Sequence, residues 1–219
     1  EKENPEKYDN KEWEVSTAQL VKVHGYADNY ENAAKANRQA KTAMELAKEI
    51  LNISRHTLFI HLRFMEAAFV KIVPDHDIDT LTMATDGTYL YYNSAHICRQ
   101  FRRAKEIPVR DYLHVILHCV FRHIFVSKKI DAKVWDLACD IAVENLINKL
   151  NLKCVSCERQ TRQAWLLKEL EEKLPKLSAE WIYKYFVEEN LSDEDMEQLR
   201  KNFMADEHFI WYHPNILDQ

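Results

Sequence analysis

Residues 112–125, "YLHVILHCVFRHIF", carry His114, His118 and His123 among apolar neighbours. At about 100° per residue, Leu113, Ile116, Leu117, Val120 and Ile124 form one stripe, and Val115, Cys119, Phe121, Phe125 and Val126 cover most of the remaining circumference. A helix that is apolar nearly all round is buried on most sides. His114 and His118 lie four positions apart and share a face, whereas His123 is expected to point elsewhere. Two buried imidazoles need partners, because an unpaired buried polar group costs roughly 1–3 kcal/mol. Backbone carbonyls or carboxylates would serve; so would one shared metal.

Working outward, "VWDLACDIAVENLINK" (134–149) reads as the next helix, with Asp136, Asp140 and Glu144 recurring every four residues. Such a stripe is ordinarily a solvated face. Following the histidine helix by one short connection, it can also supply a carboxylate to a His, His, carboxylate zinc site with an open fourth position. Before the histidine helix, "DTLTMATDGTYLYYN" (79–93) places β-branched and aromatic residues on both sides of Asp86-Gly87, the pattern of a hairpin with a tight turn. "NYENAAKANRQAKTAMELAKEIL" (29–51) predicts a long helix, and "SRHTLFIHLRFMEAAFVKIV" (54–73) a second one capped by Ser54 and ended by Pro74. "SAHICRQFRRAKEIPVR" is expected to be helical until Pro108, which then sits near the start of the histidine helix. Further helices are expected in "SAEWIYKYFVEEN" and "SDEDMEQLRKNFM". The sum is an α+β fold, mainly helical, with a small hairpin sheet packed on the histidine-bearing helix.

Composition narrows the function. The chain has 219 residues, a net charge of −5, 47% hydrophobic and 30% charged residues, enough for one sizeable core. With Gly25 and Gly87 as its two glycines, phosphate-cradling loops, dinucleotide fingerprints and G-x-S-x-G elbows are excluded. The acidic balance argues against a nucleic-acid surface. No apolar run suits a membrane span, and "EKENPEKYDN" lacks the features of a secretory signal. Five cysteines, an odd count, argue against a disulfide framework, so the expected setting is the cytoplasm. Cys154 and Cys157 form a single C-x-x-C without a second pair, and Cys119 and Cys139 read as small core residues. Tyr89, Tyr91 and Tyr92 read as a half-buried strand, and Trp165, Trp181 and Trp211 as anchors for the C-terminal helices.

"LHVILHCVFRH" is similar to the H-E-x-x-H helix of zinc metallopeptidases with its Glu replaced. Together with "TMATDGTYLYYN", "VWDLACDIAVEN", "LSAEWIY" and "DEHFIW", it resembles the bacterial putative metallopeptidase domain that precedes a von Willebrand factor A-like domain, over about residues 45–213. The resemblance implies a zincin-like domain at 45–219 behind a helical extension at 1–44, with Zn2+ on His114, His118 and Asp140. His208 is offered as a further ligand or, alternatively, as an outer contact together with Asp136 and Glu144. It also implies a protein partner, either a von Willebrand-type module or a MoxR-type AAA ATPase. Val115 stands where the motif has the Glu that takes a proton from water, and valine accepts none. Asp136 stands where the resemblance leads one to expect Asn. The expectation is therefore a degenerate metal-binding domain, a pseudoenzyme acting as a structural or interaction module. The rival is an active peptidase whose base is Asp136, Glu144 or Glu207, and a third reading is a metal-free core.

Overall fold

The computed structural model describes residues 30–76, 80–126 and 129–212, with side chains from residue 38 onward except that of His76. Most of the expected 1–44 extension, the start of the 79–93 stretch and His213 lie outside the described residues.

No Gly or Pro interrupts the chain between Gly25 and Pro74, and α1 runs unbroken over Tyr30–His61, through residues 44 and 45. Ser54 is not an N-cap. Its hydroxyl donates back to the Ile50 carbonyl at 2.8 Å, so it stays inside the helix. Its backbone continues the buried stripe of Ala47, Ile50, Leu51 and Leu58, which is why one helix replaces the expected two. A 3-10 turn at Arg63–Met65 and the short α2 (Glu66–Lys71) follow.

Pro74 does not end a helix either. It lies within β1 (Val73–His76), parallel to β3 (Tyr89–Tyr92), which pairs antiparallel with β2 (Met83–Thr85). The order β1-β3-β2 puts β1 at an edge, where a proline is tolerated. The expected hairpin is present and gains a third strand. Its turn is held by Asp86 Oδ1, which accepts from Thr88 N and Tyr89 N, both at 2.7 Å.

Next come α3 (Ser94–Arg103), capped by Asn93 Oδ1 on His96 N, and α4 (Glu106–Val120). The backbone is extended at Ala104, so α3 stops short of Pro108, which sits in the first turn of α4. The histidine helix ends sooner than its apolar pattern implies. After Val120 the chain turns, Arg122 takes φ 61°, and Phe121 and Phe125 are exposed. Ile124, Phe125 and Val126 thus leave the helical stripe assigned to them.

The second half holds α5 (Ala132–Leu150), α6 (Arg159–Lys173), α7 (Ala179–Glu189), α8 (Asp193–Phe203) and the short α9 (Phe209–Tyr212). Asp131 caps α5 by accepting from Lys133 N and Val134 N. Helix α6 is an addition to the expected set. One core cluster joins α1, α2, the sheet and α4 to Val143 and Ile147; a second joins residues 134–142 of α5 to α6, α7 and α8. Helix α5 therefore forms a wall shared by both clusters, and α4 packs against it. Trp211 is buried as expected, but Trp165 and Trp181 are exposed and anchor no core. Among the described residues, no helix is long and apolar enough to cross a membrane.

Candidate metal centre

The i, i+4 spacing brings His114 and His118 together on the face of α4 that meets α5, with their Nε2 atoms 2.8 Å apart. From α5, Asp140 presents Oδ1 at 3.2 Å from His114 Nε2 and 3.4 Å from His118 Nε2. The fourth donor, Asp206, was not anticipated as a ligand. Its Oδ1 lies 3.3 Å from His114 Nε2 and 3.9 Å from His118 Nε2. All four residues are buried, and their donor atoms lie within 4.8 Å of one another.

Asp206 belongs to the segment between α8 and α9, which docks on the free edge of β2. The Glu207 amide donates to the Met83 carbonyl at 2.7 Å, and Glu207 Oε2 accepts from Leu81 N at 2.9 Å. No helical or strand periodicity links this segment to α4, so only its place within "DEHFIW" hinted at it.

Both imidazoles are held from behind. His114 Nδ1 donates to Glu144 Oε1 at 2.9 Å. His118 Nδ1 lies 3.0 Å from Nδ1 of His123, which corrects the expectation that His123 points away: the turn after Val120 swings it back. His208 sits across the carboxylates, with Nε2 at 3.1 Å from Asp206 Oδ1 and 3.3 Å from Asp140 Oδ1. It stacks on Trp211 at 3.7 Å. Asp136 accepts from the Tyr212 hydroxyl at 2.6 Å and lies 3.4 Å from His208 Nδ1.

Glu144 is the hub of a second buried layer. Its Oε2 accepts from Arg110 Nη2 at 2.6 Å and from Gln163 Nε2 at 2.7 Å, and Arg159 Nη1 reaches Oε1 at 3.4 Å. Arg110 is 0% exposed and also donates to the Val155 carbonyl and Asn148 Oδ1. The apolar reading of α4 gave no hint of this arginine network.

The electrostatics follow from burial set against pairing. Burial opposes the charged form of His114, but hydrogen bonds to Asp140, Asp206 and Glu144 carry its pKa well above the ordinary value. Burial likewise opposes the charge on His208, and Asp206 and Asp140 outweigh it, raising that pKa too. For His118 burial prevails and the pKa falls. Burial, with His118 and His208 adding to it, takes His123 down to about 3. Burial would raise the carboxyls, yet His208 and His118 hold Asp206 well below its usual range, and His208 and His114 lower Asp140. Glu144 is lowered against burial by His114, Arg159 and Arg110.

The donor set suits a divalent cation. A tetrahedral ion bound at about 2.0–2.1 Å holds its ligands ~3.3 Å apart, and the separations given above bracket that value. Two buried carboxylates and two neutral imidazoles would be neutralised by one 2+ ion. Asp206 Oδ2 is buried without a hydrogen-bond partner, an arrangement that favours a cation nearby. A cavity of about 270 Å³ adjoins the cluster, lined in part by Asp136, Asp140, Arg200, Asp206, Glu207 and His208. Val115 is 0% exposed, in the first core cluster. Cys119 and Cys139 contribute no atom to the four-residue cluster.

No curated protein and no solved structure gives a match to this chain. The profile of one family, described as "Putative metallopeptidase domain", matches residues 61–208. That span takes in α4, α5 and all four clustered donors, and by it the chain belongs to the putative metallopeptidase domain family.

Proposed function

We propose that this chain is a degenerate, zincin-like metallopeptidase domain that binds Zn2+ through His114, His118, Asp140 and Asp206 and serves as a structural or protein-interaction module. The observation that carries the reading is Val115, wholly buried at the position of the general base. General-base assistance contributes about 10²–10⁴ in rate, and a valine forfeits it. Bound zinc supplies Lewis acidity and, where four protein ligands close the site, folding free energy. Asp206 would be the fourth protein ligand, where a hydrolytic site keeps that position open. Glu144 is no substitute base, because Arg110, Gln163 and His114 occupy its oxygens. The partner class in this reading is a von Willebrand-type module or a MoxR-type AAA ATPase, and the setting is the cytoplasm.

One observation favours a second reading. Asp136 and Glu207 line the cavity beside Asp140 and Asp206, and either carboxylate would be the base in an active peptidase.

Metal analysis of protein purified without chelators should give one zinc per chain, and cleavage of a peptide library should be absent. Substoichiometric metal would remove the zinc reading. Proteolysis that chelator abolishes and zinc restores would establish the peptidase instead.

A further inference from the structure

His123 is absent from the expected ligand set, yet its ring ends against the back of a ligand. The contact is built in several steps. Helix α4 stops at Val120, and Arg122 adopts a left-handed φ of 61°, a conformation non-glycine residues seldom take without surrounding support. The reversal returns the His123 amide to the His118 carbonyl at 3.0 Å. Trp135 Nε1, from α5, donates to the His123 carbonyl at 3.2 Å. Both backbone groups of His123 are thereby fixed, and its side chain is buried. The outcome is the 3.0 Å contact between Nδ1 of His123 and Nδ1 of His118.

Two imidazole nitrogens at that distance share one proton: one donates and the other accepts. For His118 to offer its Nε2 lone pair to a metal while neutral, its proton must sit on Nδ1, and His123 must then accept there and carry its own proton on Nε2. His114 obeys the same logic with Glu144 as its acceptor. A neutral imidazole in one place and a carboxylate in the other serve the two ligands.

Resting on the zinc reading above, we propose that His123 is a positioning residue, a neutral acceptor that selects the Nδ1-protonated tautomer of His118 and thereby its Nε2 for zinc. Partners of this kind are worth about 10–100-fold in metal affinity. The loop that carries His123 is thus part of the centre.

The test compares wild type, His123→Leu and His123→Asn for zinc affinity, by competition with a chromophoric chelator, and uses 15N-histidine NMR to read the tautomer of His118. Asparagine keeps an acceptor oxygen at the δ position; leucine keeps bulk and loses the acceptor. The expected result is a 10–100-fold weaker zinc affinity for His123→Leu, recovery to within a few-fold for His123→Asn, and His118 protonated on Nδ1 in zinc-loaded wild type. Equal losses in both variants would mean packing rather than acceptance and would overturn the proposal, as would wild-type affinity in His123→Leu. Should His123→Leu fail to fold, the wild-type NMR decides: an Nε2 proton on zinc-loaded His118 refutes the assignment. A wild-type protein that takes up no zinc overturns the metal reading together with this one, whereas zinc uptake indifferent to His123→Leu overturns this one alone.

Discussion

At the scale of single residues, Glu144 joins two chemistries. It accepts from His114 Nδ1 on one oxygen and from Arg110 on the other, so its removal strands a buried guanidinium and unmoors a candidate ligand. Breaking a buried pair from one side costs about 3–5 kcal/mol. Glu144→Ala should therefore lose stability of that order in guanidinium unfolding, and a loss below about 1 kcal/mol would contradict the network described. His118→Ala should abolish the difference in melting temperature between chelated and zinc-supplemented protein, because metal binding free energy is also folding free energy; a persisting difference would place the ion elsewhere. The pairing of His114 with His118 was legible from helical spacing, and Asp140 was singled out from the Asp136, Asp140, Glu144 stripe by the family resemblance. Asp206, Arg110 and His123 were not legible, since each depends on where the chain turns or docks.

Among the elements, the hairpin and the loop after α4 constrain each other. Gly87 has φ +90°, and a Cβ there would stand 2.6 Å from Ile124 Cδ1. Gly87→Ala meets both backbone strain and a clash, so it should destabilise by about 1–3 kcal/mol. Chemical denaturation reads this directly, and a neutral result would show that the loop yields freely. Asp131→Ala removes the acceptor for two amides at the start of α5 and should cost about 1 kcal/mol. Existence of α3, α4, α5, α7 and α8 and of the first part of α1 was legible from the sequence pattern; α6 was not, and neither were the helix ends. Ser54 looks like a cap but bonds backward within α1, and Val120 looks mid-helix but ends α4. A β-strand as short as Val73–His76, with a proline in it, carries too weak a pattern to be read against the helical residues before it.

For the whole molecule, the buried histidines set a pH dependence that metal should alter. His118 and His123 have folded pKa values lowered from the usual ~6.5, so the unfolded chain binds more protons below that pH and stability falls as the solution becomes more acidic. His114 and His208 are raised, so their contribution is fully present below ~6.5 and is lost as pH climbs through the folded values. Chelated protein should therefore be most stable near pH 6.5, with a decline on either side. Zinc should remove much of the alkaline decline, because the ion replaces the proton on His114. Denaturation midpoints measured from pH 5 to 9.5 with and without chelator test this, and a flat profile for chelated protein would exclude the charged histidines.

By itself the sequence determined that the chain is largely helical with a hairpin and that two imidazoles share a helix face. These are local properties, dictated by residue type and by the 3.6-residue repeat. The tertiary structure alone decided what completes the cluster. Asp206 arrives because an extended segment finds the open edge of β2, His123 because α4 stops where the chain can turn left-handed, and Glu144 is held because Arg110 and Gln163 are buried against it. Each of these depends on contacts between residues far apart in sequence or on the energy of a single backbone reversal, and neither leaves a period in the chain.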